Sequence, residues 1–193
     1  MNLIFASSNE HKIREISVKL GMTGSIRGLA SVGCTEEIPE TGSTLNENAF
    51  LKASFVVKNY MVPCFADDTG LEVEALNNAP GVHSARYAGE QRNSADNIAK
   101  LLDEMKHVAN RRARFRTVIC MCSNGEVHYF EGIVHGHIAR ETRGTAGFGY
   151  DSVFVPDGSS RTFAEMSLEE KNLISHRAIA FSKLKDYLSK SRV

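Results

Sequence analysis

No surplus of charge marks this chain of 193 residues: 23 Lys plus Arg face 23 Asp plus Glu. Holding long nucleic acid or an anionic membrane usually calls for a basic excess, so neither is expected as a partner. A small phosphorylated ligand held by a local basic cluster remains compatible with that balance. No apolar run reaches transmembrane length, so no membrane span is expected. Residues 1–20 carry Glu10, Lys12, Arg14 and Glu15 where a secretory leader needs an apolar core, which points to a cytoplasmic protein. Cysteine is scarce, and Cys34, Cys64, Cys120 and Cys122 show no C-x-x-C spacing. They sit mostly in apolar runs and read as reduced core thiols. The length suits a single domain, residues 1–193, either compact or built of two lobes.

What is present is organised around Pro63-Cys64-Phe65-Ala66-Asp67-Asp68-Thr69-Gly70-Leu71. Short apolar residues run into two adjacent carboxylates, then a hydroxyl and a glycine. That order predicts a buried strand ending in a tight turn, with both acids at the strand's C-terminal edge, where open α/β sheets hold ligands. Neighbouring carboxylates repel, so either a hard cation with oxygen ligands joins them or one of them merely caps the next segment.

The other segments can be read in order. Asn2–Ala6 is strand-like, and Ile13, Ile16 and Leu20 recur at helical spacing. Ser7 to Lys12 is thus a strand-to-helix turn, fit to hold a phosphate or simply to cap a helix. A strand-like fragment follows at Ser31–Cys34. Thr44-Leu-Asn-Glu47 has the form of a capping box opening a helix to about Asn59. Glu40 lies on the loop before it. Leu71–Leu76 alternates as a further strand, residues 77–93 form a long loop, and Ser94 opens a helix. Ser123-Asn124-Gly125-Glu126 signals a hairpin joining Phe115–Cys122 to Val127–Ala139. His135 and His137 share a face of that second strand, without a third zinc ligand at suitable spacing. Gly144 to Gly149 reads G-x-x-G-x-G. Its embedded aromatics offer a flat surface and close backbone approach to a nucleobase, or form a bulged entry to the strand Ser152–Pro156. Ser167-Leu-Glu-Glu170 is a second capping box. A break near Ser175 would turn Lys171, His176 and Arg177 towards one site.

Acids for a divalent metal, polar groups and ammoniums for phosphates, and a glycine-aromatic loop for a base together suit phosphoryl or nucleotidyl chemistry. Six fragments, in order, resemble the inosine triphosphate pyrophosphatase family. They are Phe5–Lys12, Glu40–Asn48, Ala66–Leu71, Gly81–Tyr87, Gly147–Asp151, and Glu169–Asn172 with Ser175–Arg177. The resemblance implies a mixed α/β fold, its central sheet flanked by helices, with two lobes around a central cleft and usually a homodimer. It also implies Mg²⁺-dependent hydrolysis of XTP, ITP and dITP to the monophosphate and pyrophosphate. Asp68 would be the catalytic acid, acting as base or activator of metal-bound water, and Glu40 would assist with metal. Ser7, Ser8, Asn9, Glu10, His11, Lys12 and Lys171 would hold phosphates. Phe148, Gly149, Tyr150 and Asp151, with His176 and Arg177, would hold the purine. Ser7-Ser8 departs from the family's usual Thr-Gly or Thr-Asn. Thr69, also expected to touch substrate, replaces its usual Ser.

Overall fold

The computed structural model describes residues 3–7, 9, 12, 16 and 26–190. Ser8, Glu10 and His11 lie outside the described residues, as does most of the expected first helix, of which Lys12 and Ile16 are helical. Strands β1 (Leu3–Phe5), β2 (Ile26–Gly28), β3 (Cys64–Val73), β4 (Arg112–Ser123), β5 (Glu126–Ile138) and β6 (Phe154–Pro156) form one sheet, ordered β2-β1-β3-β4-β5-β6. Parallel pairing of β1 with β2 and β3, and antiparallel pairing of β5 with β6, make the sheet mixed. Helices α1 (Leu45–Tyr60), α2 (Ser94–Glu104), α3 (Leu168–Ile174) and α4 (His176–Lys190) complete an α/β fold.

By their contacts the described residues fall into two compact units. The first takes those up to Asp68, Thr117–Gly132 and those from Arg177 onward; the second takes Thr69–Arg116 and Ile133–His176. The first unit's core is aromatic at its centre. Phe5 stacks on Phe65 at 4.8 Å between ring centroids, and Phe181 meets both edge-on. Ile119, Met121 and Leu184 close around them. In the second unit Phe115, Phe154 and Phe163 pack together with Leu71, Val73, Leu101 and Ile138. All four cysteines are buried free thiols. Among the described residues no helix is long and apolar enough to cross a membrane.

Local sequence signals set several boundaries. The Thr44 hydroxyl accepts from the Glu47 N–H while the Glu47 carboxylate accepts from the Thr44 N–H, so the capping box starts α1 as expected. Asn124 (φ 52°) and Gly125 (φ 82°) make the tight turn between β4 and β5. Ser175, in extended conformation, separates α3 from α4. The fragment expected as a strand at Ser31–Cys34 differs: the strand is β2, and Leu29–Val32 is a short 3₁₀ turn.

The central expectation needs a larger correction. No turn follows Asp67-Asp68; β3 runs straight through both acids to Val73, and Glu74–Leu76 is a 3₁₀ turn rather than strand. Both faces of β3 are buried, so its sequence carries no clear alternation. Gly70 serves close approach instead of reversal. Glu72 bridges to Pro80, the Val73 N–H donates to the Ala79 carbonyl, and a Cβ on Gly70 would lie 2.6 Å from the Gly81 carbonyl oxygen. A backbone oxygen cannot yield as a flexible side chain can. Gly70→Ala is therefore expected to cost about 2 kcal/mol, read as a lower urea midpoint at unchanged slope; an unchanged midpoint would refute the close-packing account.

Candidate active site

In the first unit, β3 delivers two carboxylates into a nearly dry environment, Asp67 at 1% exposure and Asp68 at 8%. Adjacent strand residues point to opposite faces, so the two acids meet different partners. Lys12 Nζ donates to Asp67 Oδ1 at 3.0 Å, and Arg177 Nε donates to Oδ2 at 3.3 Å. Burial alone would raise the Asp67 pKa, but Lys12, Arg177 and Lys52 outweigh it and hold the carboxyl at about 2. Lys12 is shifted down by its own burial and by Lys52 and Arg177, against the pull of Asp67.

Asp68 is compensated differently. Its Oδ1 lies 3.5 Å from Lys52 Nζ, and Lys52 also donates to Glu40, its closer partner. Burial dominates and pushes the Asp68 pKa up, with Glu40 adding to the rise against Lys52 and Lys12. Burial opposes the charge on Lys52, yet Asp68 and Glu40 prevail and raise its pKa. Asp68 Oδ2 is buried with no hydrogen-bond partner. An orphaned carboxylate oxygen of this kind is where a cation would be expected. Among the described residues no three His, Cys, Asp or Glu side chains gather as a complete ligand set. Asp68 and Glu40, both bridged by Lys52, are the carboxylates that could hold a divalent cation here.

The supports are local. Gly42 N–H donates to Asn48 Oδ1 at 2.8 Å, and Glu47 Oε2 accepts from the N–H and hydroxyl of Ser43, pinning the Glu40 loop to the first turn of α1. Asn9 Oδ1 accepts from the Lys12 N–H and Ser7 Oγ from the Asn9 N–H, each at 3.2 Å, shaping the turn that carries Lys12.

The second unit holds the other cluster. Asp151 Oδ2 accepts from Lys171 Nζ at 2.8 Å and from the Phe148 N–H at 2.9 Å. That carboxylate folds over Gly147 (φ 77°), where a Cβ would collide with it. Lys171 Nζ stands 5.0 Å from the Phe148 ring centroid and 5.8 Å from that of Phe163. The His176 ring stacks on Phe115 at 4.5 Å. Phe148, Gly149 and Thr69 are half-buried, whereas Tyr150 is buried with its hydroxyl donating to the Ser84 carbonyl. The Ser175 break thus lies between two cations with separate acids: Lys171 is paired with Asp151 in one unit and Arg177 with Asp67 in the other.

Lys52 is the member of this cluster that motif reading missed. It lies three residues after Ala49 and four before Val56, on the buried stripe of α1, and is 8% exposed. A lysine on an apolar stripe must find buried acids. That signal was available.

The Ham1 family model matches residues 3–187. A dITP/XTP pyrophosphatase of Porphyromonas gingivalis is 56% identical over 187 residues, 96% of each chain. One of Flavobacterium psychrophilum is 53% identical, covering 97% of this chain and 98% of its own. The solved Ham1 protein of Staphylococcus aureus superposes with a TM-score of 0.90 at 39% identity, covering 98% of this chain and 99% of that one.

Asp67 makes acid stability a test of the first cluster. Its folded pKa lies below the unfolded value, so its contribution is present above about pH 4 and lost as pH falls towards about 2. A shift of that size corresponds to about 2 kcal/mol. Asp67→Asn should shrink the loss of urea stability across that window by this amount. It should also lower stability at pH 7 by about 3 kcal/mol, because Lys12 and Arg177 lose their counter-charge. Equal acid sensitivity in parent and variant would refute the assignment.

Proposed function

The chain belongs to the Ham1 family, and on that footing we propose that it hydrolyses the non-standard purine nucleoside triphosphates XTP, ITP and dITP to the monophosphate and pyrophosphate. The observation that carries the chemistry is Asp68, a buried carboxylate of raised pKa whose Oδ2 has no partner. A carboxylate made more basic than usual is suited to accept a proton from attacking water, or to direct a metal-bound one. Mg²⁺ held by Asp68 and Glu40 would supply neutralisation of phosphate charge and a lowered pKa for bound water.

The remaining roles follow from charge. Lys52 keeps Glu40 and Asp68 together, and its ammonium is a donor for phosphate oxygens. Lys12, at the start of a helix beside Ser7 and Asn9, offers a second such donor. Arg177 and Lys12 keep Asp67 ionised, so that it competes for no proton with Asp68. On the base side, the half-buried Phe148 ring offers a stacking face beside Lys171, which Asp151 holds in place. We place Lys171 on the base side rather than with the phosphates because it stands beside the Phe148 ring; it, His176, Arg177 or loop N–H groups would donate to a 6-oxo purine. A 6-amino group would set donor against donor, which disfavours ATP by a large factor. Thr69 keeps a hydroxyl next to the acids for the substrate.

We further infer a homodimer, for which light scattering is the check, and a cytoplasmic location, which suits a nucleotide substrate and four free thiols.

Asp68→Asn, assayed with ITP and Mg²⁺, should release pyrophosphate at least roughly a hundredfold more slowly than the parent. The parent's kcat/KM should fall on acidification with a midpoint above the ordinary carboxylate value. Pyrophosphate release by the variant near the parent rate would overturn the role given to this acid.

A further inference from the structure

Building on the proposed function, we propose that Tyr150 is a positioning residue for purine selection: its hydroxyl, bonded to the Ser84 carbonyl, fixes where the loop bearing Phe148 and Asp151 stands, and its ring does not itself touch the base. Tyr150 is only 4% exposed, and its ring is part of the second unit's core with Phe163 and Met166. Its hydroxyl donates to the Ser84 carbonyl at 2.9 Å. Burial pushes the phenol pKa far up, so the group stays a donor at any working pH.

Ser84 is a firm anchor because several bonds hold it. Its hydroxyl accepts from the Leu71 N–H at 2.9 Å and donates to the Gly81 carbonyl at 2.6 Å. Asn97 braces the same turn: Nδ2 donates to the Ala85 carbonyl at 3.0 Å, and Oδ1 accepts from the Ala88 N–H at 2.6 Å. The anchor is therefore tied to β3 only three residues beyond Asp68. At the other end, the Tyr150 carbonyl accepts from both the Val153 and Phe154 N–H groups at 3.1 Å. Tyr150 is held at the hydroxyl and at the main chain, between the permissive Gly149 (φ 59°) and Asp151.

What Tyr150 positions is its neighbours. The Asp151 carboxylate holds both the Phe148 N–H and the Lys171 ammonium. Freed from Ser84, the Gly147–Asp151 loop would carry ring and cation out of register together. The loss should fall on base recognition and spare the phosphate side, whose groups lie on other segments.

Tyr150→Phe removes one oxygen and leaves the ring. The Ser84 carbonyl keeps Asn97 Nδ2 at 3.5 Å, so the variant is expected to fold with little change in Tm. Its affinity for inosine monophosphate should drop about five- to tenfold, the worth of one such bond, while affinity for inorganic tripolyphosphate stays put. In steady state the KM for ITP should rise with kcat within about twofold, and the preference for ITP over ATP should narrow. Ser84→Ala, which keeps the carbonyl but loosens it, should move inosine monophosphate affinity the same way. Unchanged monophosphate affinity and ITP preference in Tyr150→Phe would overturn the proposal, as would equal weakening of both ligands, the mark of a general structural role. A parent chain that binds inosine monophosphate yet releases no pyrophosphate from ITP would sink the hydrolase reading and leave the positioning claim to stand on the binding result.

Discussion

Two neighbouring carboxylates on a strand buried on both faces cannot be neutralised from one side, and much of the first unit follows from that. Successive strand side chains project in opposite directions, so Asp67 and Asp68 require separate counter-charges. The chain supplies them from distant positions: Lys12 and Arg177 for one acid, Lys52 shared with Glu40 for the other. The compensation is unequal. Asp67 has two cations bound to it and is locked in its ionised form. Asp68 has Lys52 at 3.5 Å, claimed more closely by Glu40, and one oxygen without a hydrogen-bond partner. The two acids are thus held differently, although both share the same strand and nearly the same burial.

The second unit solves a smaller version of this problem with one acid and one cation. Asp151 and Lys171 are both buried and bonded to each other. Removing either charge alone would leave the other unpaired in a poorly solvated place, which is expensive. The aromatic rings around the ammonium soften that exposure by presenting their negative faces. A lysine held this way loses little further freedom when a ligand arrives, which favours recognition by geometry over recognition by charge alone.

How far the sequence disclosed all this depended on the range of each interaction. Capping boxes at Thr44 and Ser167, the Asn124-Gly125 turn and the break at Ser175 are governed by residues a few positions apart, and each was legible. The candidate site residues were legible as motifs, and the family they resemble is the one to which the chain belongs. The path of β3 was not. Asp-Asp-Thr-Gly is a good turn by local propensity, and only the tertiary approach of the Gly81 backbone explains why Gly70 sits inside a strand. Lys52 was overlooked for the opposite reason: its helical register was visible, but its meaning depended on acids that meet it only in the fold. Asp68 was singled out from Asp67 through the resemblance alone; the structure adds the separate partners that hold each acid.

The division of the chain into units has a consequence for inheritance. The backbone passes from one unit to the other at 68–69, 116–117, 132–133 and 176–177, so each unit is stitched from separate pieces of sequence. No single stretch encodes either one. Recombination cannot donate the half that bears Asp68 to another protein, or exchange the half that bears Lys171, by a simple crossover. Two of the four passages fall directly beside Asp68 and His176. Changes in the two clusters therefore arise in interleaved stretches of one sequence, never in separate halves of it.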